Sequence, residues 1–152
     1  MIILINLFQF NVPLKEMMII YFLYIRSVVE QSCVVWASSI TEDECLDIER
    51  TQKCALRLIL KEQYVTYEHA LSTLDLPTLR QCTELLQLRF AVRCSENEKT
   101  EQMFPLRKTK TNTNTRNPEK FHIPQARTSR LANSAIPTMA RLLNKHSTKD
   151  RT

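Results

Sequence analysis

Glycine is absent from all 152 residues of this chain. At the usual share of about 7 %, a chain of this length would carry about ten. Without glycine no residue adopts positive φ freely, and none lets the backbone approach a phosphate closely. The Walker loop, the dinucleotide fingerprint and the EF-hand loop all need that freedom, so all three are excluded. Two-residue β-hairpins are disfavoured as well, because their preferred turns need Gly or Asn at positive φ. Helices remain the economical solution.

Paired metal ligands are also missing. The five cysteines, Cys33, Cys45, Cys54, Cys82 and Cys94, are odd in number and form no C-x-x-C pair. His69, His122 and His146 stand apart from them and from one another. A zinc site needs ligands close in sequence, so none is expected. Most of these cysteines sit among apolar neighbours at helical spacing, which reads as buried free thiols in a reducing compartment. That points to an intracellular protein of cytoplasm or nucleus.

Long apolar runs are lacking too. The first 25 residues are greasy, but Asn11, Pro13, Lys15 and Glu16 interrupt them. No stretch reaches the roughly 18 apolar residues of a spanning helix. No basic segment precedes the run and no small-residue cleavage site follows it, so neither a membrane span nor a signal peptide is expected. Residues 1–12 read as an apolar extension of unclear origin.

Charge is unevenly spread. Residues 1–40 are neutral overall, residues 41–104 carry −4, and residues 105–152 carry +9, within a whole-chain charge of +5. The basic charge is therefore a property of the last third.

What is present reads as a mainly α fold, a small antiparallel helical bundle over residues 13–105. Lys15 to about Trp36 lacks breakers and is apolar on most faces, as in a buried helix. Thr41-Glu42-Asp43-Glu44 fits a capping box, with the acids at the positive end of the helix dipole. From there Cys45, Ile48, Gln52, Ala55 and Ile59 recur at steps of three and four. A shorter helix is expected after Thr66. Pro77 suits the first turn of the next, whose buried face is marked by Leu79, Cys82, Leu86 and Phe90. The expected core thus includes Trp36, Ile48, Ala55, Ile59, Leu79, Leu86 and Phe90.

After Pro105 the composition changes. Arg107 to Arg116 holds no apolar residue, and residues 106–130 read as a disordered basic linker. Ala135, Ile136, Met139, Leu142 and Leu143 mark a short helical segment over 131–145, with Pro137 in its first turn, and 146–152 as a disordered tail.

Several strings stand in order. They are Tyr24-Ile25-Arg26-Ser27-Val28-Val29-Glu30, then Val35-Trp36-Ala37-Ser38-Ser39, then Ile48 to Leu60, which reads IERTQKCALRLIL. Phe104-Pro105-Leu106, Thr115-Arg116-Asn117, Ala126 to Arg130, Ser134 to Pro137 and Arg141 to Asn144 follow. The series resembles the C-terminal, thumb and post-thumb region of reverse transcriptases from jockey-type non-LTR (LINE) retrotransposons, over about residues 20–144. The family's polymerase holds two magnesium ions on carboxylates of an aromatic-x-Asp-Asp string in its palm. This sequence has no Asp-Asp pair. The resemblance therefore implies a fragment of an RNA-directed DNA polymerase without catalytic residues or cofactor of its own, magnesium belonging to the missing palm. Where the family commonly ends its Leu-Ile-Leu run with Gly, Lys61 stands here, and an inexpensive left-handed cap is lost.

The implied role is support of template and primer. Arg26, Lys53 and Arg57 on the helices, and Arg107, Lys108, Lys110, Arg116 and Lys120 in the tail, are the candidates for phosphate contact. Plain solubility and helix pairing compete with that reading for each of them. The partners are then RNA or DNA, met through the basic C-terminal third, and the missing polymerase domains, with a membrane disfavoured and self-association open. The alternative is a helical structural or interaction module, or an inert remnant, whose greasy start seeks a partner.

Overall fold

The computed structural model describes residues 12–106 and 120–149. The extension up to residue 11, the tail residues Arg107, Lys108, Lys110 and Arg116, and residues 150–152 lie outside the described residues. The fold is mainly α. It divides into two compact units, one of the described residues up to 33 with 40–83, the other of 34–39 with those from 84 onward.

The first unit opens with α1 (Leu14–Ile20), whose start is set by Pro13; the Pro13 carbonyl accepts from the Glu16 and Met17 amides at 3.1 Å. The helix then widens into a π-helical stretch, Tyr21–Arg26, and closes as α2 (Ser27–Glu30). A π turn takes up one residue more than an α turn. Met17 and Tyr21 are buried four positions apart, and the five-residue step from Tyr21 keeps Arg26 on the same side while Leu23 and Tyr24 face out. A single helix from Lys15 to Trp36 is not what forms. Ser32 takes φ 55°, ending the first run, and α3 (Cys33–Trp36) is separate.

α4 (Glu42–Leu60) begins at a complete capping box. The Thr41 amide donates to Glu44 Oε2 at 2.7 Å, and the Glu44 amide to Thr41 Oγ1 at 3.3 Å. α5 (Tyr67–Thr73) is capped by Thr66. It ends in a Schellman turn, with Leu76 N–H donating to Leu71 O at 2.9 Å and Asp75 at φ 51° in the left-handed place. Met17, Tyr21, Ala55, Leu56, Ile59, Leu60, Tyr67 and Ala70 form this unit's core.

α6 (Leu79–Glu96) starts from Thr78 and not from Pro77. Thr78 Oγ1 accepts from the Gln81 amide at 3.2 Å, and the Gln81 side chain accepts from the Thr78 amide at 3.1 Å. Pro77 thus lies just outside the helix. The buried stripe also differs from the expected one: it runs Leu79, Cys82, Gln87, Ala91, Cys94. Phe90, expected in the core, is 39 % exposed, and Leu86 is half-buried. The buried positions step by three, five, four and three, which leaves Leu86 and Phe90, each one position before a buried residue, at the edge of the stripe. Trp36 and Ile48 are half-buried as well, whereas Ala55, Ile59 and Leu79 are buried.

In the second unit Ala91, Cys94, Phe104, Phe121, Met139, Ala140 and Leu143 make the core. Residues 120–130, read from sequence as linker, are not all free coil. Phe121 pairs in an isolated antiparallel bridge with Leu106, and the His122 amide donates to Pro105 O at 2.8 Å. Phe121 and Ile123 bring the apolar surface that makes ordering favourable there. α7 (Ser129–Ala132) is capped by Thr128. α8 (Ala135–Lys149) overruns the expected end at 145, because Asn144 to Lys149 contains no breaker.

Candidate nucleic-acid interface

Of the basic residues singled out from sequence, four lie within the described chain: Arg26, Lys53, Arg57 and Lys120. They do not share one surface role.

Arg26 is committed inside its own unit. Its Nε donates to Glu30 Oε1 at 2.6 Å, its second guanidinium nitrogen meets Cys82 Sγ, and its carbon lies 5.3 Å from the Phe22 ring centroid. Burial pushes the Cys82 thiol up, with Arg26 pulling the other way, so the thiol stays protonated beside the cation. A guanidinium held on three sides braces α2 against the start of α6 and has little left for a phosphate. Arg26 is thus engaged within its own unit by an ion pair and a thiol contact, unlike the other described candidates.

Lys53 and Arg57 differ. α4 buries Gln52, Ala55, Leu56, Ile59 and Leu60, so helical geometry forces Lys53 and Arg57, one turn apart, onto the outer face, where both are exposed. The Lys53 ammonium sits 4.9 Å from the Tyr67 ring centroid, which steadies it without neutralising it. Glu49, one turn before Lys53, is engaged elsewhere: its carboxylate accepts from the Tyr67 hydroxyl and, at 3.2 Å, from the Leu79 amide. Burial, then the Glu49 hydrogen bond, pushes the Tyr67 hydroxyl up from its ordinary value. Arg57 borders a groove of about 990 Å³ lined by Val12, Leu14, Leu58 and Leu60.

Lys120 is exposed, with its ammonium 5.5 Å from the Phe121 ring centroid. It borders a groove of about 1080 Å³ that also carries Glu96 and Glu101, so its local field is mixed. Cys33, Cys82 and Cys94 are buried free thiols, but Cys45 is half-buried and Cys54 is exposed, the latter because it follows Lys53 on the outer side of α4. Among the described residues no cluster of three or more His, Cys, Asp or Glu side chains could hold a metal ion, and no helix is long and apolar enough to cross a membrane.

The sequence placed Gln52 in the inward stripe of α4 but showed neither its polar links nor those of Asn144. Gln52 is wholly buried, accepting from the Tyr21 hydroxyl at 2.8 Å and donating to Pro77 O at 3.2 Å. Asn144 brackets Phe121, accepting from its amide at 2.9 Å and donating to its carbonyl at 3.1 Å. A polar residue inside an apolar stripe was the available signal for Gln52; nothing local marked Asn144. No protein-family model, no curated protein and no solved structure matches the chain.

Proposed function

We propose that this chain is a non-catalytic, nucleic-acid-handling helical module, the C-terminal part of a retrotransposon reverse transcriptase. The reading is supported by the exposed pair Lys53 and Arg57, which stands on α4, the helix that contains the string Ile48 to Leu60 of the ordered series. Two cations one turn apart on a rigid helix match the spacing of backbone phosphates and confer affinity without sequence information. Arg107, Lys108, Lys110, Arg116 and Lys120 add positive charge in the last third of the sequence.

The test is titration of an RNA–DNA hybrid and of single-stranded RNA by fluorescence anisotropy across a salt series. Engagement of about five phosphates by the tail gives a slope of log K against log salt near −4, and K53E and R57E each reduce the magnitude of the slope by about one. Affinity that ignores salt, or binding unchanged in K53E/R57E, overturns the proposal. An in-frame palm in the DNA upstream of the coding region supports the family origin.

A further inference from the structure

Glu49 and Lys53 stand four positions apart on α4, acid before base. That order and spacing normally give an ion pair along a helix face. Here the half-buried carboxylate goes elsewhere. Its Oε1 accepts from the Tyr67 hydroxyl, and its Oε2 accepts from the Leu79 amide at 3.2 Å. That amide is one of the donors which the start of α6 leaves without a helical partner. Lys53 stays exposed, its ammonium 4.9 Å from the centroid of the same Tyr67 ring.

Tyr67 therefore touches both residues. Thr66 caps α5 and fixes Tyr67 at its first position, with the ring buried in the core of the first unit. From that mount the hydroxyl takes the carboxylate that Lys53 would otherwise meet. The ring attracts the ammonium without cancelling its charge. A lysine paired with a glutamate has little net charge to offer an anion. One steadied on a ring keeps its full charge and loses less side-chain freedom when it binds.

We propose that Tyr67 is a positioning residue for phosphate contact: it withdraws Glu49 from Lys53 and holds the ammonium ready for a phosphate of a nucleic-acid backbone. The inference rests on the nucleic-acid reading above and deepens it by naming what keeps Lys53 available.

Fluorescence anisotropy of a labelled RNA–DNA hybrid in about 0.1 M salt tests it, with Y67F, E49Q and K53A singly and combined. Phenylalanine keeps the ring and the packing, so Y67F removes only the hydroxyl. Glu49 then turns to Lys53, and affinity falls about two- to fivefold. In a K53A background Y67F changes nothing, because the cation it serves is gone. Y67F/E49Q has no carboxylate to pair with Lys53 and binds as tightly as E49Q, within about twofold of the wild type. A merely structural tyrosine would leave the double variant no better than Y67F. Unchanged helical circular dichroism shows that each variant is folded, and the comparison of K53A with K53A/Y67F decides the matter even where E49Q lowers stability. Y67F that binds like the wild type, a loss that persists in K53A, or a double variant as weak as Y67F overturns the inference, while the nucleic-acid reading stands on the loss in K53E/R57E. A wild type that does not bind the hybrid removes both.

Discussion

The Tyr21 hydroxyl donates to Gln52 Oε1 at 2.8 Å, and neither side chain is exposed to solvent. This bond joins the π-helical stretch to the middle of α4 across the core of the first unit. Burial raises the Tyr21 hydroxyl to about 12. A hydroxyl whose folded value exceeds its unfolded value of 10.0 contributes stability that is complete below pH 10 and is lost as pH rises towards 12. Y21F leaves Gln52 Oε1 buried without its donor and lowers stability by about 1–3 kcal/mol in urea unfolding. The same variant flattens the alkaline limb of the stability curve.

Lys61 ends α4 at φ 52° and ψ −122°, a conformation that suits glycine and that a Cβ makes costly. K61G stabilises the protein by about 1 kcal/mol relative to K61A, since both lose the side chain and only one loses the clash. The shift in urea midpoint between these two variants checks it.

The Thr41 cap predicts a dependence at the acid end. Hydrogen bonds from the Thr41 amide, then from its hydroxyl, hold the Glu44 carboxyl below its usual 4.5. Its contribution is therefore present above pH 4.5 and lost as pH falls through the folded value. T41A removes the cap and costs about 1 kcal/mol at neutral pH. E44Q keeps a hydrogen-bonding side chain and removes the acid-side dependence, read from urea midpoints between pH 3 and pH 7.

Asn144 carries the second unit's backbone pairing. N144L strips Phe121 of both its amide and its carbonyl partner, and costs roughly 2–4 kcal/mol because two buried groups are left unmet. Hydrogen exchange of the Phe121 amide measures it, with protection in the wild type and rapid exchange in N144L.

Local features were legible from the chain alone. The α4 cap follows from Thr41 and Glu44, three positions apart, and α5 from Thr66, because a cap is decided by its own few residues. The outward placement of Lys53 and Arg57 follows from the period of Gln52, Ala55, Leu56 and Ile59. What failed depended on distant parts. A stripe chosen by the largest apolar residues put Leu86 and Phe90 inside α6, whereas packing selected Gln87 and Ala91. Phe121 was assigned to a linker because its partner Asn144 is 23 residues on. The contact of Arg26 with Cys82 spans 56 positions and had no local signal either. The glycine-free composition excluded cheap left-handed corners, yet Ser32, Lys61 and Asp75 adopt them at helix ends, where hydrogen bonding and core contacts offset the cost.

The wide turn between Tyr21 and Arg26 also makes the helix tolerant of a change in length. Loss of one codon among Leu23, Tyr24 and Ile25 would let the tract rewind as ordinary α-helix, with Tyr21 still on Gln52 and Arg26 still on Glu30. The inward side would be conserved while the outward side lost one of its two central members. A single deletion there would alter only the face turned to solvent, leaving a helix that seats in its own core as before.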